Sequence, residues 1–104
     1  MNDMLMQNYD KMVLKDTVSV IHCAFGEAPY TVATVSVDKN LSDIQKCEKA
    51  FMLTNSIDDA WWNNKNVSPM FPNEGCRSTS VGDQVLIGDT KYLCASFGWE
   101  KLPK

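Results

Sequence analysis

Residues 30–53, YTVATVSVDKNLSDIQKCEKAFML, change their hydrophobic period once, and that change decides the fold. From Tyr30 to Val37 the period is two, with Ala33, Val35 and Val37 on one face, which predicts a strand. Asp38-Lys39-Asn40 breaks the strand. Ser42 and Gln45 then match a capping box, in which side chains satisfy backbone N–H groups left over by the first turn, so a helix is predicted from Asp43. Ile44, Cys47, Ala50, Phe51 and Leu53 recur at helical spacing, while Asp43, Lys46, Glu48 and Lys49 fall largely on the other side. One helix face is for a sheet and the other for water.

Working outward, Thr17 to Phe25 is β-branched and apolar on both faces, with Val18, Val20, His22 and Ala24 opposite Ile21, Cys23 and Phe25, which predicts a central strand. Gly26-Glu27-Ala28-Pro29 supplies a turn, so this strand and the next are expected to form a hairpin. Beyond the helix, Asn55-Ser56 reads as its end, and Ser56 with Asp59 as the cap of a short turn carrying Trp61 and Trp62. Asn63 to Asp83 is rich in Asn, Pro, Ser and Gly and reads as a long loop, the kind of segment in which binding sites concentrate. Gln84 to Ile87, a Gly88-Asp89 turn and Lys91 to Phe97 predict a second hairpin. The first eleven residues show no period and read as a mobile arm or short edge segment. The expectation is one α+β domain over residues 1–104: a small antiparallel sheet of about four strands with one main helix packed on one face.

Composition narrows the function classes. An apolar fraction of 44% against 22% charged residues is that of a chain that folds, not of a disordered one. A net charge of -3 is too weak a field to steer nucleic acid. No run approaches the roughly 18 apolar residues of a membrane span, and no signal-peptide pattern opens the chain, so a cytoplasmic protein without membrane contact is expected. In that compartment Cys23, Cys47, Cys76 and Cys94 are expected to be free thiols.

Arg77-Ser78-Thr79-Ser80-Val81-Gly82-Asp83, followed by Val85, Tyr92 and Phe97-Gly98-Trp99, resembles a C-terminal pattern in uncharacterised phage and mobile-element proteins, including the YodL-like modules. The match covers roughly the last quarter of the chain, and the first forty residues carry none. The resemblance implies a phage or mobile-element context and brings no activity that can be carried over residue by residue. Beside it stands a physical reading of the same residues: Gly82 allows positive φ or close backbone approach, and Asp83 can bond local amides as the chain enters a strand.

Candidate sites follow from side-chain chemistry. The cysteines lack the short-spaced pairs of a zinc site and there is one histidine, so neither metal nor cofactor is expected. Cys76 beside Arg77 is the thiol whose neighbour could lower its pKa, but it lacks a base in sequence. His22 and Cys23 point to opposite faces of a strand, so His22 would have to meet Cys94 or Cys76 across the fold; a hydrogen-bonded core histidine is the plainer reading. Asp58-Asp59 reads as favourable charge near a helix start. Of Trp61 and Trp62, one is expected to be buried and one available, and with Trp99, Phe71 and Tyr30 the exposed indole could anchor a partner. Arg77, Ser78 and Ser80 could bind an anion through cation, hydroxyls and amides, though without a P-loop arrangement.

The binding residues expected from sequence are therefore Trp61, Trp62, Phe71, Arg77, Ser78, Ser80 and Trp99, with no catalytic residue assigned. The expected function is a small non-enzymatic accessory protein that occupies a surface of a host protein. Two alternatives stand beside it: a small-ligand or single-strand nucleic-acid binder using residues 61–83, and a thiol-dependent enzyme centred on Cys76. Homo-oligomerisation is compatible with all three.

Overall fold

The computed structural model describes residues 15–55, 60–72 and 75–103. The N-terminal arm, the Ser56 cap and the Asp58-Asp59 pair lie outside the described residues. The elements are β1 (Lys15–His22), β2 (Tyr30–Asp38), α1 (Asp43–Leu53), a 3-10 turn (Trp61–Asn63), β3 (Val67–Pro69), β4 (Gln84–Ile87), β5 (Thr90–Ala95) and β6 (Gly98–Lys101). The strands form one six-stranded antiparallel sheet in the order β3-β2-β1-β4-β5-β6.

The α+β class follows from residues 30–53 as the period change predicts. Ser42 Oγ accepts the Gln45 amide at 3.2 Å, and Gln45 Oε1 accepts the Ser42 amide at 2.9 Å, which closes the capping box and starts α1. The helix packs against β1, β2 and β4. Val18 and Val20 of β1 stand opposite Val35 and Ala33 of β2, and Val20 stands opposite Val85 of β4. Cross-strand partners share a face, so these side chains make one apolar layer, closed by Cys47 and Ala50 from the helix. Each fully buried valine contributes on the order of 1.5–3 kcal/mol relative to exposure. At the other end of the helix face the Tyr92 hydroxyl donates to Asp43 Oδ2 at 2.8 Å, fastening β5 to the first helical turn.

The strand count departs from the four expected. β3 lies inside the stretch read as a continuous loop from Asn63 to Asp83, and β6 follows the expected last strand. β3 has three residues and ends in Pro69, which an edge strand tolerates because its outer N–H positions need no partner. So short a run leaves no period to read. β6 opens at Gly98, where φ is +100°, and carries Glu100 and Lys101, an edge composition with no apolar alternation.

β1 stops three residues earlier than its apolar pattern suggests. Phe25 adopts φ +60°, which ends the extended run, and the Cys23 and Ala24 amides leave the ladder for a side chain. Between Val20 and Ile21 the register with β2 shifts by one residue, so that Val32 and Ala33 are both fully buried. That bulge helps to bring His22 and Tyr30 together as a cross-strand pair at the end of the apolar layer. No helix among the described residues is long and apolar enough to cross a membrane.

Candidate functional site

The functional geometry is concentrated where β1 ends and β4 begins. Asp83, immediately before β4, is fully buried, and its carboxylate is surrounded by donors. Oδ1 accepts from the Cys23 amide at 2.9 Å, the Ala24 amide at 3.0 Å and Arg77 Nη2 at 2.9 Å. Oδ2 accepts from the Ser80 amide at 2.8 Å and Arg77 Nη1 at 2.7 Å. Burial alone would raise this carboxyl, but the Arg77 guanidinium and the three amides outweigh it and hold the pKa at about 2. The anion that the Arg77–Ser80 segment binds is thus one of the chain's own side chains.

Arg77 is fully engaged. Its Nε–H donates to Glu27, one Nη1–H to the Ser78 carbonyl and one to Asp83, and the two Nη2–H to Glu27 and Asp83. A guanidinium has five donors, and these bonds use them all. The same group lies 5.0 Å from the centroid of the Phe25 ring. The arginine expected from sequence to bind an anion is therefore a clasp between the β1–β2 loop and the segment before β4.

A second network runs inward from Cys76. The Ala50 carbonyl can only accept, so the Thr54 hydroxyl donates to it, at 2.7 Å. Thr54 Oγ1, 2.7 Å from Thr79 Oγ1, then accepts the Thr79 proton. Thr79 has one proton to give, so at 2.9 Å it accepts from His22 Nε2. The tautomer of His22 follows: Nε2 carries the hydrogen, and the Nδ1 lone pair faces Cys76 Sγ at 3.7 Å. Burial lowers the His22 pKa, with Asp83, 3.8 Å away, pulling it up, Arg77 pushing it down and Glu27 pulling it up. The imidazole is neutral at neutral pH. Burial raises the Cys76 thiol, while a hydrogen bond from Tyr30 and the nearby Arg77 oppose it. Burial also raises Cys23 and Cys94, and pushes Cys47 up to about 12, so all four thiols are protonated at neutral pH.

The aromatic residues singled out from sequence sit elsewhere. Trp61 is 3% exposed and donates its indole N–H to the Arg77 carbonyl at 3.2 Å. Trp62 is half-buried and, with Phe71, packs edge-on against Trp61 at centroid separations near 5.5 Å. Trp99 is also half-buried and meets Phe51 edge-on at 6.2 Å. Ser78 and Ser80 flank Thr79, and Ser80 supplies its amide to Asp83. The structure thus joins Arg77, Ser78 and Ser80 in one network, links the Trp61, Trp62 and Phe71 cluster to it through the Arg77 carbonyl, and sets Trp99 against Phe51 on the same core.

Three exposed apolar side chains not singled out from sequence as binding residues lie at one end of the sheet: Phe25 is 77% exposed, Val81 53% and Phe97 101%, while Met52 on α1 and Met70 after β3 are exposed to a degree similar to Val81. The loops of the first three adjoin. A Cβ on Gly82 would lie 3.0 Å from the Ala24 Cβ, and the Gly82 amide donates to the Cys94 carbonyl at 2.8 Å, at the end of β5 before the Phe97 turn. The sequence signal for them is position: Phe25 and Phe97 each precede a glycine at a strand end, where a core residue has no reason to be. Among the described residues no group of His, Cys, Asp or Glu side chains is arranged to hold a metal ion. No protein-family model matches the chain, and no curated protein or solved structure shows significant similarity to it.

Proposed function

We propose that the protein is a small interaction module that docks a partner protein through the loop end carrying Phe25, Val81 and Phe97. The observation that carries this reading is the exposure of three large apolar side chains on loops that are internally fixed. Asp83 ties the Cys23 and Ala24 amides to the Ser80 amide and to Arg77, and Gly82 ties the same segment to Cys94. Fixed loops lose little conformational freedom on binding, so more of the apolar contact appears as affinity. Phe25 in addition holds a backbone conformation that costs an ordinary side chain roughly 1–2 kcal/mol, with the Arg77 guanidinium set against its ring.

The resemblance of Arg77–Asp83 and Phe97–Trp99 to phage and mobile-element proteins supports a host protein as the partner, in the host cytoplasm. The nucleic-acid alternative is weakened by the commitment of every Arg77 donor within the chain. The test is capture of a partner from host lysate by the tagged full-length protein, compared with Phe97→Ser and with Phe25→Ser combined with Phe97→Ser. Loss of a stoichiometric partner in the double variant, with circular dichroism unchanged, supports the reading. Undiminished capture by the folded double variant would sink it.

A further inference from the structure

The docking reading leaves the buried histidine and the thiol facing it without a role. We propose that Cys76 is a nucleophilic thiol served by His22 as its general base, and that its substrate class is an activated acyl group. A nucleophile needs a base within reach, and the base needs a third group to orient it. Cys76 Sγ is 3.7 Å from His22 Nδ1, and His22 Nε2 is held by Thr79 at 2.9 Å. The chain of hydroxyls from Thr79 through Thr54 to the Ala50 carbonyl permits one tautomer, which leaves the basic nitrogen on the sulfur side. Cys76 is half-buried and hydrogen-bonded to Tyr30, which is 41% exposed, so the sulfur is not sealed in the core and lies beside a side chain that reaches water.

The charged and titratable groups around the pair are Asp83 ahead of β4, Arg77 in the preceding segment, Glu27 in the β1–β2 loop and Tyr30 on β2. Asp83 and Glu27 favour the imidazolium that forms during transfer, and Arg77 opposes it. The electrophile class follows from the geometry: the nitrogen that takes the thiol proton stands beside the sulfur, where it can return that proton to a leaving oxygen, which acyl transfer from an ester uses and displacement of a halide does not. As Sγ bonds to the carbonyl carbon, the thiol proton passes to Nδ1. When the tetrahedral carbon collapses, the bond to the leaving oxygen breaks and that oxygen takes the proton from Nδ1. The products are S-acyl Cys76, a free alcohol or phenol, and neutral His22.

The experiment treats the full-length protein with p-nitrophenyl acetate across a pH series, following phenolate release and mapping the acetylated cysteine by mass spectrometry. Acetylation of Cys76 ahead of Cys23 is expected, with a rate that levels off once His22 is neutral, near or below pH 7. His22→Gln is expected to slow it about 100-fold at pH 7 and to replace the plateau with a rise that continues beyond pH 9. Thr79→Val, which removes the acceptor for Nε2, is expected to lower the plateau while leaving the acetylation of Cys23 unchanged. The proposal fails if Cys76 reacts no faster than Cys23, or if the wild-type rate climbs through the ordinary thiol range without levelling. It fails also if folded His22→Gln reacts as fast as wild type. The wild-type pH profile decides the matter alone should that variant not fold.

Discussion

Asp83 and Arg77 meet through two parallel hydrogen bonds, Nη1 to Oδ2 at 2.7 Å and Nη2 to Oδ1 at 2.9 Å, with the carboxylate fully buried and the guanidinium side chain 28% exposed. Asp83→Asn preserves shape but removes the charge and turns one acceptor into a donor facing other donors. Breaking a buried pair in this way costs about 3–5 kcal/mol, and we expect a loss of that order in urea unfolding. A loss below about 1 kcal/mol would show that the pair is not a net source of stability.

Stability should fall in two stages on acidification. The folded His22 pKa lies below its ordinary value, so the unfolded chain binds the proton first, and stability is lost as pH drops below about 6.5. Asp83 is likewise depressed, to about 2, so its contribution is complete above pH 4 and is lost between about pH 4 and pH 2. A shift of that size corresponds to roughly 2 kcal/mol. Chemical denaturation across pH should show both stages, and His22→Gln should remove the first while leaving the second.

Gly82→Ala should destabilise by about 1–3 kcal/mol. Gly82 sits at φ +101°, and an added Cβ would stand 3.0 Å from that of Ala24, so strain and crowding act together. The same substitution at Gly88, also at positive φ but with no neighbour within 4 Å, should show only the backbone cost. Thermal melts of the two variants separate the terms.

Trp61→Ala should cost about 3–5 kcal/mol, because a large buried ring leaves a cavity and the Arg77 carbonyl loses its donor. Trp62→Ala, from a half-buried position packed on Trp61, Phe71 and Gly75, should cost distinctly less. Equal losses would contradict the division of the pair into core and rim.

What the sequence discloses depends on how far apart the interacting residues lie. The Tyr30–Leu53 segment was legible because both its period change and its capping box are local, with Ser42 and Gln45 three positions apart. β3 was not, since its placement depends on Val67 meeting Val35 rather than on any pattern of its own. Gly82 and Asp83 announced a turn correctly, but two of the carboxylate's three amide partners, Cys23 and Ala24, lie about sixty residues away in sequence, just beyond the end of the neighbouring strand β1. His22 and Cys76 could be named as a possible pair, yet their meeting rests on a bulge in β1–β2 and on a hydroxyl chain through Thr54, neither of which has a sequence signature.

The seam between β1 and β4 is short, pairing Ser19, Val20 and Ile21 with Leu86, Val85 and Gln84. On one side the β1–β2 hairpin closes over a few residues, and on the other β4 to β6 form a meander of tight turns. Both can form quickly, whereas the seam must bring together positions more than sixty residues apart. Assembly is therefore expected to proceed as two locally built halves that meet last. Because the Asp83 clasp lies beside that late junction, damage to it should leave the rate of folding nearly unchanged and appear as faster unfolding. The protein's lifetime, more than its speed of formation, is set at the place where its two halves join.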